Sequence, residues 1–297
     1  MIGNRAYREV YGEGRARLEA AEIAEAPLDA RLLLEFVCGT DRNTLLVHGD
    51  REVTGEECER YRNLSGRRAA HVPLQHLTGE QEFMGLPFYV NSDVLVPRQD
   101  TEILVEEVMK QLHDGMRILD LCTGSGCILL SLLHYSNGCE GVGTDLSPQA
   151  LTMAVKNYER LREERAGMEA RFLEGDLFAA LENGRASDDG TAPGNRFDII
   201  VSNPPYIETS VVDTLMPEVR EHEPLMALDG GADGLVFYRR ITERAGAYLN
   251  GGGMLFFEIG CGQAEAVRGL MEQAGFCEVA VVKDFAGLDR VVYGSWF

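Results

Sequence analysis

The chain is poor in lysine. Lys110, Lys156 and Lys283 are its only three, and 28 basic residues against 48 acidic ones leave a net charge of −20. Proteins that grip a phosphate backbone need a basic surface, because their affinity comes largely from displaced counterions. Neither part of this chain carries one: residues 1–80 hold 11 Arg and 14 Asp/Glu, net −3, and the remainder carries the other −17. Direct nucleic-acid binding is therefore not expected. No apolar run approaches the roughly 18 residues of a membrane span, and the residues after Met1 form no apolar segment of the secretory type. The expectation is a cytoplasmic protein with no membrane partner. The seven cysteines, Cys38, Cys58, Cys122, Cys127, Cys139, Cys261 and Cys277, are odd in number and include no C-x-x-C pair. No histidine lies at metal-ligand spacing. A disulfide framework or zinc site is thereby disfavoured, no metal is expected, and the thiols read as small core residues.

The 297 residues, 45% of them hydrophobic, suffice for one large or two modest domains. Residues 1–80 read as a small helical bundle. Leu28, Leu32, Leu33, Phe36 and Val37 share one helix face, with Pro27 near its start and Gly39 just past its end. Thr54-Gly55-Glu56-Glu57 fits a capping box opening a helix to about Arg68. Pro73–Leu77 forms a further short helix closed by Gly79. Within 81–99, Glu82-Phe83-Met84 and Phe88-Tyr89-Val90 flank Gly85-Leu86-Pro87, which predicts a β-hairpin linker. A helix capped by Asp100 then opens a domain over 100–297. There, six short apolar runs alternate with helical stretches: Arg117–Leu121, Gly141–Asp145, Ala170–Glu174, Phe197–Ser202, Gly253–Ile259 and Glu278–Lys283. Ser147-Pro148 opens one of those helices and Gln263–Ala274 forms another. This rhythm predicts an α/β fold with a mostly parallel sheet between helices. Glu182–Arg196, rich in Gly, Asp, Asn and Ser, reads as an insertion before the fourth run.

Three strand ends carry candidate chemistry. The first is Asp120-Leu121-Cys122-Thr123-Gly124-Ser125-Gly126, a glycine-rich turn that lets a ligand approach the backbone. A dinucleotide fingerprint needs a third glycine, and Leu129 stands there. That fits a ligand without phosphates, such as S-adenosylmethionine. The second is Asp145, 19 residues after Gly126, an acid suited to two ribose hydroxyls or to capping the helix that follows. The third is Gly175-Asp176-Leu177, where Asp176 could accept from an adenine amino group and Leu177 could pack on its ring. The sharpest signal is Asn203-Pro204-Pro205-Tyr206, directly after the fourth run. Two prolines stiffen the turn and remove backbone donors. Carbonyl oxygens and the Asn203 side chain are left to hold an NH2 group, with Tyr206 as a flat wall.

With Asp-x-x-x-Gly-x-Gly, the strand-end acid and Asn-Pro-Pro-Tyr in this order, the chain resembles class I S-adenosylmethionine-dependent amino methyltransferases. More closely, it is similar to the PrmC/HemK family. The likeness is carried also by Pro73–Glu80, Glu82–Phe88, Val96–Glu102, Glu223-Pro224, Leu228–Leu235 and Gly287-Leu288-Asp289-Arg290. Two positions depart from the family pattern: Gln99 replaces a usual proline, and Leu177 stands where some members have an aromatic residue.

The resemblance implies a Rossmann-like sheet of seven strands, S-adenosyl-L-methionine as cofactor, and methylation of the side-chain amide of a glutamine, that of the GGQ motif, in peptide chain release factors. It also implies a helical domain that grips the release factor. Asn203, Pro204 and Tyr206 are then the catalytic residues. Asp120, Cys122, Thr123, Gly124, Ser125, Gly126, Asp145, Asp176, Leu177 and Asn203 face the cofactor. Pro205, Arg98, Thr101 and Glu102 join Asn203, Pro204 and Tyr206 in lining the substrate side, unless Arg98, Thr101 and Glu102 serve only as a capped helix start with a structural ion pair, and Ile207–Leu235 covers the peptide. Two other readings use nearly the same turn: a glutamine methyltransferase acting on a ribosomal protein, and an adenine N6-methyltransferase. The acidity of the chain speaks against the second.

Overall fold

The computed structural model describes residues 5–183 and 196–297. The insertion expected at Glu182–Arg196 therefore lies, but for its ends, outside the described residues. By their contacts the residues divide into two units, one of residues up to Glu80 with Met216–His222, the other of Gln81–Leu215 with Glu223–Phe297. No helix among the described residues is long and apolar enough to cross a membrane.

The first unit contains β1 (Arg5–Ala6), α1 (Tyr7–Ala20), α2 (Ala26–Cys38), α3 (Arg42–Val47), β2 (Glu52–Val53), α4 (Gly55–Ala69), α5 (Leu74–Thr78) and, from the distant segment, α11 (Pro217–His222). The expected capping box is present at α4. The Thr54 hydroxyl accepts from the Glu57 N–H at 3.2 Å, and the Glu57 carboxylate accepts from the Thr54 N–H at 2.8 Å. Gly39 ends α2 at φ +58°, a left-handed conformation that favours glycine. Tyr7, Leu33, Leu34 and Tyr61 fill the core. Gly14 belongs there because a Cβ would lie 1.8 Å from the Tyr61 hydroxyl. Arg68 is buried and pairs with Asp29 at 2.7 Å and Glu218 at 2.6 Å. The antiparallel pair β1–β2 was not expected; each strand is two residues long and shows no alternation to read.

The second unit runs β3 (Glu80–Phe83), β4 (Leu86–Tyr89), α6 (Gln99–Met109), β5 (Arg117–Leu121), α7 (Cys127–Tyr135), β6 (Glu140–Asp145), α8 (Pro148–Glu164), β7 (Glu169–Glu174), α9 (Ala179–Asn183), β8 (Phe197–Ser202), α10 (Thr209–Val212), α12 (Val236–Tyr248), β9 (Leu249–Glu258), α13 (Ala264–Gln273), β10 (Cys277–Lys283) and β11 (Asp289–Trp296). The hairpin β3–β4 turns at Met84-Gly85, both at positive φ, rather than over Gly85-Leu86-Pro87; Leu86 and Pro87 already belong to the second strand. Asp100 does not cap α6. Arg98 holds the cap position without a side-chain bond, and Asp100 pairs with Arg290 at 3.2 Å. Gln99 is the first residue of α6, a position that tolerates proline and other residues alike.

The sheet has seven strands in the order β10-β11-β9-β8-β5-β6-β7. Pairings from β9 through β8, β5, β6 to β7 are parallel, and β11 runs antiparallel to both neighbours. β11 is the strand the apolar runs did not reveal. β5 and β8 are buried over most of their length, as strands covered on both faces must be. α7 is buried nearly all round and packs tightly on β6: a Cβ at Gly141 would come within 2.7 Å of Leu129. From β5 the chain winds outward through β6 and β7, then returns to place β8 on the other side of β5. Between β5 and β8 the winding reverses, and in such sheets the crevice at the carboxyl ends of these strands is where ligands bind.

Candidate active site

Both signature turns leave the sheet at that reversal. Leu121 and Ser202, the last residues of β5 and β8, are register partners, and the Ser202 hydroxyl donates to the Leu121 carbonyl at 2.7 Å. The glycine-rich turn follows Leu121. Cys122 sits at φ +60° and Gly124 at φ +56°. A left-handed cysteine is costly and persists only where the surroundings hold it. Here Asp120, fully buried, accepts the Thr123 hydroxyl at 2.6 Å, and the Thr123 N–H donates to the Thr144 carbonyl of β6 at 3.0 Å. Burial pushes the Asp120 carboxyl up to about 7. Gly126 begins α7 at φ +79°.

Asp145, at the end of β6, ties two loops together. One carboxylate oxygen accepts the Gly124 N–H and the other the Ser147 N–H, each at 2.9 Å. Burial raises its pKa against these bonds. The Ser147 hydroxyl, not Asp145, caps α8 by accepting the Ala150 N–H at 3.1 Å. Asn157 on α8, wholly buried, donates to the Ser125 carbonyl at 2.9 Å and exchanges two bonds with the backbone of Tyr89. Asp176 faces the same space and pairs with Arg240 at 2.6 Å. Leu177 beside it adopts φ +52°.

After β8 the Asn203–Tyr206 turn is clamped from behind. Asn203 Nδ2 donates to the Thr101 hydroxyl at 3.4 Å. The Tyr206 carbonyl accepts Gln263 Nε2 at 2.9 Å, and the Tyr206 hydroxyl donates to Glu258 at 3.4 Å. The Leu228–Leu235 segment presses on this turn: a Cβ at Gly230 would lie 2.7 Å from the Tyr206 Cα, and one at Gly234 2.4 Å from the Tyr206 carbonyl oxygen. Both glycines are therefore demanded by close backbone approach. Arg98 forms an ion pair with the buried carboxylate of Glu223.

These elements enclose a cavity of about 560 Å³, within the range of small-molecule sites. Its wall combines the glycine-rich turn, Asp145, Asp176 and Asn203 with apolar side chains. Cys122 is held protonated by burial, and Cys127 is pushed up to about 12 for the same reason. The wall thus offers acceptor oxygens and no ready thiolate.

Residues 9–79 match the family model of the PrmC N-terminal domain and residues 98–220 that of the Methyltransferase small domain. A release factor glutamine methyltransferase of Geobacter sulfurreducens is 42% identical over 97% of this chain and 95% of its own length. One of Caulobacter vibrioides is 41% identical over 94% and 92%. The chain belongs to the release factor glutamine methyltransferase family. Its fold also matches the crystal structure of a methyltransferase from Pyrococcus furiosus, with a TM-score of 0.51, 18% identity, and coverage of 77% of this chain and 98% of that one.

Of the residues that sequence motifs single out in this family member, Arg98, Thr101, Cys122, Thr123, Gly124, Ser125, Asp145, Asp176, Leu177, Asn203 and Pro205 line the cavity. Others stand behind the wall. Asp120 braces the glycine-rich turn instead of reaching a ligand. Glu102 accepts the Met84 N–H at 2.6 Å and so anchors the hairpin turn. Gly126 and Tyr206 likewise lie outside the lining, and Pro204 adjoins it only as the link between the lining residues Asn203 and Pro205. Leu146, Leu225, Met226 and Phe237 also line the cavity. Leu146 is 56% exposed and Leu225 60%, so apolar surface of the cavity wall reaches its mouth. Asn157 and Glu258 escaped the motif reading because each acts through residues far from it in sequence.

Proposed function

We propose that this cavity binds S-adenosyl-L-methionine and presents a glutamine side chain of a peptide chain release factor to it, in the cytoplasm and without direct contact to nucleic acid. The observation that carries the reading is the orientation of Asn203. With Nδ2 donating to Thr101 on a residue that lines the cavity, Oδ1 remains to accept an N–H of the substrate amide while the neighbouring Pro204 carbonyl accepts the other.

The residues fit the cofactor. Open backbone at Gly124, where an added Cβ would meet nothing within 4 Å, admits the amino-acid part. Asp145 suits the ribose hydroxyls, Asp176 the adenine amino group, and Leu146 and Leu177 the ring faces. When bound, S-adenosylmethionine supplies an electrophilic methyl group on a sulfonium. The protein's share of the chemistry is positioning. An amide nitrogen is a weak nucleophile because its lone pair is delocalised. Two acceptor oxygens that fix both N–H bonds direct the nitrogen and favour the positive charge it develops. No histidine or thiolate on the wall is placed to act as a base, so the proton is held on the nitrogen until transfer is complete. The helical unit supplies the surface for gripping a whole protein, consistent with its match to a separate family domain.

The test is mass spectrometry of purified release factors after incubation with the protein and S-adenosylmethionine. A single added methyl on a glutamine amide is expected. Methyl found only on a ribosomal protein, or on adenine in duplex DNA or RNA even at low salt, would overturn the reading.

A further inference from the structure

Behind the Asn203–Tyr206 turn lies a carboxylic acid that the reaction as described does not use. Glu258, the last residue of β9, is 2% exposed. One of its oxygens accepts the Tyr206 hydroxyl at 3.4 Å, and Oε2 is buried with no hydrogen-bond partner of its own. Thr101 of α6, 2% exposed, is a neighbour whose hydroxyl pulls the Glu258 pKa down. The Thr101 hydroxyl in turn accepts Asn203 Nδ2 at 3.4 Å. Glu258 does not line the cavity, whereas Thr101 and Asn203 do, so its influence there must pass through them.

Resting on the amide-clamp reading above, we propose that Glu258 is a positioning residue that sets which end of the Asn203 amide faces the substrate. A hydroxyl has one proton to donate. Opposite an ionised Glu258, the Thr101 hydroxyl gives that proton to the carboxylate and must accept from Asn203. Nδ2 is then turned inward, and Oδ1 is left to receive the N–H of the substrate glutamine. Opposite a protonated Glu258, the acid becomes the donor. The Thr101 proton is free to turn to Asn203 Oδ1, and the amide presents its NH2 to the NH2 of the substrate. Two donors face each other and the clamp is lost. Which oxygen or nitrogen an asparagine offers is decided by such a hydrogen-bond chain.

Other groups around the acid set where it titrates. Burial and Asp100 of α6 push its pKa up, while Thr101, Tyr206 and Arg290 of β11 pull it down, and the result is about 7. Tyr238 of α12 donates to the Glu258 backbone carbonyl at 2.9 Å, and Cys127 of α7 is a further neighbour whose thiol stays protonated.

The experiment compares full-length wild type, Glu258→Gln, Thr101→Val, Thr101→Ser and Asn203→Ala. It measures kcat and KM on a release factor across pH, S-adenosylmethionine Kd by calorimetry, and Tm. Wild-type kcat is expected to fall about tenfold per pH unit below about 7, where the carboxylate takes up its proton. Glu258→Gln should lower kcat at least roughly tenfold, abolish that fall, and leave cofactor Kd within about twofold, since the residue acts on the transition state rather than on binding. Thr101→Val should lower kcat similarly, and Thr101→Ser, which keeps the hydroxyl, should restore most of it. These two variants carry the test if Glu258→Gln does not fold. An unchanged kcat in Glu258→Gln or Thr101→Val, beside an inactive Asn203→Ala, overturns the role of Glu258 alone. A fully active Asn203→Ala overturns the amide clamp itself.

Discussion

Replacing Asp145 with asparagine probes the point where two loops of the cavity are tied. Its oxygens each accept one backbone N–H at 2.9 Å, from Gly124 and from Ser147. A carboxylate offers about four lone-pair positions, so two remain, enough for two ribose hydroxyls. Asparagine keeps the shape but has one oxygen. Its NH2 group must face a backbone N–H that the carboxylate had accepted, or a ribose oxygen in place of a ribose hydroxyl proton. One charge-assisted hydrogen bond lost amounts to about 1.5–3 kcal/mol. At about 1.4 kcal/mol per decade, Kd for S-adenosylmethionine should rise roughly tenfold to a hundredfold. Isothermal calorimetry reads this directly, and a thermal unfolding curve on the same sample reports whether the loops still close. An unchanged Kd with an intact unfolding transition would refute the ribose assignment and leave Asp145 as a brace for its two loops.

Other changes separate chemistry from stability. Asn203→Ala should abolish most methyl transfer while shifting Tm little; near-normal turnover on a release factor would sink the clamp. Arg68→Ala leaves the buried Asp29 carboxylate without its cation, and stripping one partner from a buried pair costs about 3–5 kcal/mol; a change in unfolding free energy below about 1 kcal/mol would show the pair to be dispensable. Asp120 titrates near 7 when folded against about 3.9 when unfolded. The folded state therefore holds the proton more tightly, and stability declines as pH rises between those two values. Asp120→Asn should remove that decline, which Tm measured on both proteins across this range will reveal; parallel curves would contradict it.

What sequence discloses here is what is written locally. The capping box at Thr54, the Gly39 stop and the Ser147-Pro148 start are contained within a few residues, and each stands in the structure where its pattern lies. The β5 and β8 runs are legible because strands buried on both faces are mostly apolar. β11 is not, because Gly294 interrupts its apolar character and its first residues, Asp289 and Arg290, are spent on ion pairs. The same division holds in the cavity. Glycine-rich and proline-rich turns declare themselves because their backbone geometry requires particular residue types in sequence. Asp120 shows the limit of that logic: its place before the turn identifies it as important, but the turn buries it, and its proton-accepting oxygen goes to Thr123. Residues that act across the fold have no such signature. Asn157 joins the Ser125 turn to Tyr89 over 32 and 68 positions of chain, and Tyr206 reaches Glu258 over 52. Only folding makes them neighbours, and a buried carboxylate with an unpartnered oxygen, set behind the turn that forms one side of the cavity, is a signal that a list of motifs cannot contain.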